Sequence, residues 1–171
     1  ERELPIFSAF ILEPIQGEGG VNLLDSEFAQ RVRRLCNQLD CPLIIDEIQS
    51  GMGRSGSFMA STQLGLKGDY YTLSKSLGGG LAKVSATLIK KSRLRKEFSL
   101  VHSSTFAEDD LSSGIALKVL DMLDDPALGA YEKIHSSSTA LRAALERVQQ
   151  KVPHIIREVR GLGLFLGVEF F

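Results

Sequence analysis

Lys75 and Asp46 are the residues of this chain whose types and settings could do chemistry together. Lys75 lies in Thr72-Leu73-Ser74-Lys75-Ser76-Leu77-Gly78-Gly79-Gly80, a small-residue turn whose glycines leave the backbone open to close approach. Asp46 and Glu47 follow the apolar run Pro42-Leu43-Ile44-Ile45. A lysine amine in such a turn can capture an aldehyde. A carboxylate at the end of a buried strand can hold a protonated ring nitrogen. Plainer readings stand beside these: Asp46 as a helix cap or surface acid, Lys75 as a solvated surface charge.

The elements that must position the pair can be read from the apolar pattern. Phe7 to Leu12 predicts a short buried strand closed by Glu13-Pro14, and Gln16-Gly17-Glu18-Gly19-Gly20 predicts a loop. Asp25 or Ser26 caps a helix whose apolar face is Phe28, Val32, Leu35, Cys36 and Leu39. Leu43-Ile44-Ile45 lacks polar alternation, as expected of a strand covered on both faces. In open α/β sheets ligands collect beyond the carboxyl ends of such strands, which is where Asp46 falls. Further strands are predicted at Tyr70–Leu73 and Val84–Ile89, separated from Asp46 by a glycine loop over 51–56. A short basic helix is predicted over Ser92–Phe98. Longer helices follow through Leu111, Ile115, Val119, Met122 and Leu123, and from Leu128 to Val148. Gly161-Leu162-Gly163 predicts a turn, with a strand from Leu164 to Phe171. The order is that of an α/β fold with a mostly parallel sheet flanked by helices. The glycines after Arg160 predict a division into residues 1–160 and 161–171.

The chain has 171 residues, 43% of them hydrophobic, enough for one substantial core. Its 20 basic and 21 acidic residues give no reason to expect nucleic acid or an anionic membrane as a partner. No apolar run reaches the roughly 18 residues that span a bilayer. Cys36 and Cys41 make no disulfide framework, and the scattered His102, His135 and His154 make no metal site, which points to a reduced, cytoplasmic setting. The first residue, Glu1, and the apolar end Gly167–Phe171 predict a segment of a longer chain, so organelle targeting stays open.

EPIQGEGG at 13–20, LIIDEIQSGMGRSG at 43–56, TLSKSLGGGL at 72–81 and HSSTF at 102–106 together resemble the class III pyridoxal-phosphate-dependent aminotransferases. The likeness is to the ornithine and acetylornithine group, and it keeps the family's motif order over nearly the whole chain. RGLGLFLGVEF at 160–170 resembles the entry to that family's C-terminal small domain. The resemblance implies part of the fold-type I large domain, truncated at both ends, with pyridoxal 5′-phosphate as cofactor. Residues 1–160 would be the C-terminal part of the cofactor-binding domain, and 161–171 the start of the small domain.

It also implies roles. Lys75 would form the Schiff base and then shuttle the proton between substrate and cofactor carbons. Asp46 would pair with the pyridinium nitrogen, and Gln49 would hydrogen-bond the phenolic oxygen. Thr105 would donate to the cofactor phosphate of a neighbouring subunit in a homodimer with shared sites; its plainer reading is a turn hydroxyl. Glu18 would serve the substrate side, favouring glutamate or 2-oxoglutarate as the partner of an amino acid or ω-amine; its plainer reading is a solvated loop carboxylate. Glu47 and Arg54 have no chemical step and read as structural. The family's glycine, asparagine and proline after HSSTF are replaced by Ala107-Glu108-Asp109-Asp110, whose acids suit a helix start but bring negative charge toward a phosphate. The family's phosphate cup and substrate-carboxylate arginine lie outside this sequence, so the isolated segment is expected to bind the cofactor poorly and turn over nothing. The alternatives are a mutase, racemase or decarboxylase on the same fold, or a non-catalytic domain of a multi-enzyme chain.

Overall fold

The structure is a computed structural model that describes residues 7–102, 105 and 107–171. Its centre is a four-stranded sheet made of β1 (Phe10–Leu12), β4 (Leu43–Asp46), β5 (Tyr70–Leu73) and β6 (Ala86–Ile89), in that order. β1 and β5 run parallel to β4, and β6 runs antiparallel to β5. The chain is thus α/β with a mostly parallel sheet. Between β1 and β4 come a small antiparallel pair, β2 (Ile15–Gln16) and β3 (Asn22–Leu23), and the helix α1 (Ser26–Gln38). Beyond the sheet lie α2 (Phe98–Val101), α3 (Asp110–Asp124) and α4 (Ala130–Lys151), then a hairpin of β7 (Ile156–Leu162) and β8 (Phe165–Phe170).

The first strand is shorter than expected because its partner runs out. Phe10 N donates to Pro42 O, and just before that the chain turns through Asp40 at φ +46°, so residues 7–9 have no extended backbone to pair with. α1 begins where expected, with the Asp25 carboxylate accepting from Phe28 N at 2.8 Å. Its buried stripe is Ala29, Val32 and Cys36. Of the five expected apolar-face residues only Val32 and Cys36 are buried, while Phe28, Leu35 and Leu39 stay about half exposed. The small Ala29 brings the helix close to Leu43 and Ile45, and that close approach turns the larger side chains to the flanks. Cys36 and Cys41 are buried and unbridged, and burial pushes the Cys36 thiol up, which keeps it protonated.

A second core forms where Met52, Leu73 and Leu77 meet Ala116 of α3, with Val119, Leu120 and Leu123 packed around them. Asp109 caps α3 by accepting from Ser112 N at 2.8 Å, so the acids after HSSTF do start the helix. The basic helix expected over Ser92–Phe98 is absent. Arg93 is drawn onto Asp40 at 2.7 Å and toward the buried Asp69 at 3.7 Å, which holds residues 91–93 in a turn, and helix forms only from Phe98.

β7 has no counterpart among the expected elements. Its charged residues hide the strand pattern, but they are paired: Arg157 and Arg160 both meet Glu169 across the hairpin, and Arg160 also meets Glu158 of its own strand at 2.9 Å. The division expected at Arg160-Gly161 therefore falls inside a continuous strand.

Candidate active site

The carboxyl ends of β4 and β5 lie side by side, with Asp46 in register with Thr72. Leu43 and Ile45 are buried against α1, so by strand alternation Asp46 projects onto the less covered face and is half-buried. Thr72 Oγ1 donates to Asp46 Oδ1 at 3.1 Å and Ile48 N donates to the same oxygen at 3.0 Å. Both bonds fall on Oδ1, so among the described residues Oδ2 keeps its acceptor capacity. A carboxylate anchored through one oxygen and open at the other fits a ring N–H donor.

Lys75 follows two residues after the end of β5, as the first residue of a 3₁₀ turn over Lys75–Gly78. Its φ of +47° is in the left-handed region, which is costly for a residue with a side chain. The turn is pinned by Leu77, buried in the second core, and by Ser74 Oγ donating to Val84 O at 3.1 Å. Lys75 is exposed, and its amine has no hydrogen bond or ion pair among the described residues. An unpaired amine is what capture of an aldehyde requires.

The other expected site residues are divided. Gln49 and Glu18 are brought together, Gln49 Nε2 donating to Glu18 Oε1 at 3.0 Å. The contact depends on Gly17, where a Cβ would stand 2.1 Å from Gln49 Oε1. Arg160 Nε donates to Gly20 O at 2.7 Å, so the β7–β8 hairpin braces the loop that carries Glu18. Thr105 lies in an exposed turn after α2 and has no hydrogen bond to Asp46, Gln49 or Lys75; its neighbours Ser103, Ser104 and Phe106 lie outside the described residues. Asp46 and Lys75 share one end of the sheet but open onto different clefts. Asp46 borders one of about 400 Å³ with Glu13 and Gln16, and Lys75 borders one of about 420 Å³ with Lys83 and Ser85.

Two residues read as structural, Glu47 and Arg54, have partners that the sequence did not show. Glu47 is wholly buried and accepts from Ser50 Oγ at 2.6 Å, Ala60 N at 3.1 Å and Ser61 N at 2.8 Å. It thereby ties the turn after β4 to the start of a 3₁₀ turn at Ala60–Leu64. Arg54 Nη2 donates to Ser76 Oγ, beside Lys75, at 2.8 Å. Asp46-Glu47 thus splits into an outward acid and an inward one, as the alternation of a strand end dictates.

The model of the class-III aminotransferase family matches residues 3–171. The chain belongs to that family. Over 162 residues it is 41% identical to ornithine aminotransferase 1 of Staphylococcus saprophyticus, a match covering 95% of this chain and 40% of that protein. Two solved structures agree with its fold. An ornithine aminotransferase from Toxoplasma gondii gives a TM-score of 0.88 at 34% identity over 98% of this chain and 39% of that one. An N-acetylornithine aminotransferase from Stenotrophomonas maltophilia gives 0.79 at 36% identity over 96% and 41%. The chain therefore spans about 40% of the length of the relatives it matches. Class-III aminotransferases depend on pyridoxal 5′-phosphate, and the Toxoplasma structure is described with that cofactor at its active site. No described helix is long and apolar enough to cross a membrane.

Proposed function

We propose that the whole protein is an aminotransferase that moves an amino group between an amino acid or ω-amine and a keto acid, with Lys75 as its covalent lysine. One observation carries this reading. Within the segment that the family model matches, a lysine and an aspartate leave the carboxyl ends of adjacent parallel strands, the amine unpaired among the described residues and one carboxylate oxygen open. When bound, pyridoxal 5′-phosphate supplies an aldehyde that takes up amines and a ring that accepts the electron pair left by deprotonation.

The protein groups act as follows. Lys75 Nζ would hold the group through its aldehyde and, as a free amine, would hold and move a proton at that nitrogen. Asp46 Oδ2 would accept from the protonated ring nitrogen, while Thr72 and the Ile48 N–H orient the carboxylate through Oδ1. The Gln49 amide would donate to the cofactor's phenolic oxygen with the hydrogen not given to Glu18. Glu18, hydrogen-bonded to Gln49, sits where it can select the substrate's charge, which favours glutamate and 2-oxoglutarate as one amino pair. Thr105 would complete the phosphate contacts of a neighbouring subunit in a homodimer. The segment by itself is not expected to turn over.

Borohydride reduction of the full-length protein with pyridoxal 5′-phosphate, followed by peptide mapping, tests the assignment. The modified residue is expected to be Lys75, and amino acceptance is expected to be fastest with 2-oxoglutarate. Modification elsewhere, or no acceptance by any keto acid, would refute it.

A further inference from the structure

Arg54 makes contacts that neither cofactor nor substrate binding explains. It belongs to the loop after β4, yet its guanidinium reaches forward to Ser76, donating to Oγ at 2.8 Å. The same group lies 6.0 Å from the ring centroid of Phe165 at the start of β8. Its backbone oxygen accepts from Leu164 N at 2.9 Å. Gly163 lets the hairpin come this near, because a Cβ there would stand 2.4 Å from the Ser55 carbonyl carbon. Among the described residues Arg54 has no carboxylate partner. A flat cation of this kind suits simultaneous stacking and hydrogen bonding, which a lysine cannot match.

We propose that Arg54 is a positioning residue that ties the strained Lys75 turn to the β7–β8 hairpin and so sets the aim of Nζ. This rests on the reading of Lys75 as the covalent lysine. A left-handed non-glycine residue persists only where its surroundings over-determine it. Lys75 is held at φ +47° by the buried Leu77, by the Ser74–Val84 bond and by Arg54 on Ser76. The first comes from the second core and the second from Val84, two residues before β6. Among the described hydrogen bonds the third alone connects the turn to a residue packed on the hairpin tip, so the hairpin that braces the Glu18 loop through Arg160 also braces the lysine.

The test follows the rate at which Lys75 of the full-length protein is trapped by pyridoxal 5′-phosphate and cyanoborohydride, located by peptide mapping. Labelling of Lys151, at the far end of α4, is followed in the same digest. Arg54→Ala and Ser76→Ala are each expected to slow trapping at Lys75 on the order of tenfold, the scale of a small misplacement of a reacting group. Lys151 should label at the wild-type rate. The double variant should be no slower than the slower single, because both substitutions break one path. Arg54→Lys, which keeps a donor for Ser76 but loses the flat stack on Phe165, should recover part of the rate. Wild-type trapping in both single variants, or effects that multiply in the double, would overturn the proposal while leaving Lys75 as the covalent lysine. Wild-type protein that labels no faster at Lys75 than at Lys151 would overturn both. Should Arg54→Ala fail to fold, Ser76→Ala removes the acceptor hydroxyl alone and decides the matter.

Discussion

Two aspartates mark opposite ends of the same pair of parallel strands, and their surroundings could hardly differ more. Asp69, just before β5, is 3% exposed and accepts from Leu43 N at 3.0 Å and Arg33 Nη1 at 2.8 Å, with Lys90 and Arg93 at 3.6 and 3.7 Å. Burial pushes its carboxyl up, but the Leu43 N–H and Arg33 outweigh it and hold the carboxyl below the usual carboxylate range. Asp46, at the far end of β4, is half-buried, and both its bonds fall on one oxygen. A carboxylate whose oxygens are engaged by the protein holds the fold together. One with an oxygen in reserve can serve a ligand. A cleft of about 680 Å³ lies beside Asp69, against about 400 Å³ beside Asp46, so cavity volume and unused bonding capacity single out different ends of the strands.

Substitutions can break or sharpen this contrast. The largest effect belongs to Lys75→Ala, expected to lower turnover of the full-length protein by about a thousandfold or more, the scale of losing a proton-transferring group. The thermal midpoint should barely move, since the side chain is exposed and unpaired. Asp69→Asn should do the reverse. It leaves Arg33 facing a neutral partner in a buried setting and is expected to cost about 3 kcal/mol by urea unfolding, with little change in turnover per folded molecule. Asp46→Asn is expected to lower turnover about a hundredfold, comparable with loss of one preorganised electrostatic contact, at a small cost in stability. If Asp46→Asn unfolds the protein while Asp69→Asn abolishes turnover in folded protein, the two ends have been assigned the wrong way round.

Acid titration gives a gentler version of the same comparison. Asp69 has a lower pKa folded than unfolded, so the folded state binds fewer protons. The stability this contributes is complete above the unfolded value, near 3.8, and is lost as pH falls through the folded value. Wild-type protein should therefore lose stability in acid more steeply than Asp69→Asn, and equal slopes would deny Asp69 its role. The smallest effect is expected of Gly17→Ala. Its added methyl would displace the Gln49 amide and weaken cofactor binding about fivefold, the worth of roughly one hydrogen bond, read by equilibrium titration.

Much of the sheet was legible because its signals are local. Leu43-Ile44-Ile45 is apolar without alternation and ends at an acid, and Asp25 and Asp109 each stand where a helix needs a cap. The misses share a cause. β7 was hidden because Arg157, Glu158 and Arg160 interrupt its apolar pattern, while Arg157 and Arg160 find partners across a turn on Glu169 and, for Arg160, also back on Gly20. The helix expected at Ser92–Phe98 failed because Arg93 is claimed by Asp40, 53 positions earlier, an attraction no local propensity contains. Glu47 read as structural, but its partners Ser50, Ala60 and Ser61 became visible only once alternation at the strand end sent it into the core.

Residue order along the chain was enough to place it in its family and to single out Lys75 and Asp46 as candidates, because both depend on side-chain type and on spacing within short segments. Which acid keeps an oxygen free, that Gln49 rests on Glu18, and that Arg54 joins a turn at Ser76 to a hairpin at Phe165 were decided only in three dimensions. Hydrogen bonds and close packing act over a few ångströms, and the groups that meet at those distances are brought there by strand register and by glycines that permit backbone contact.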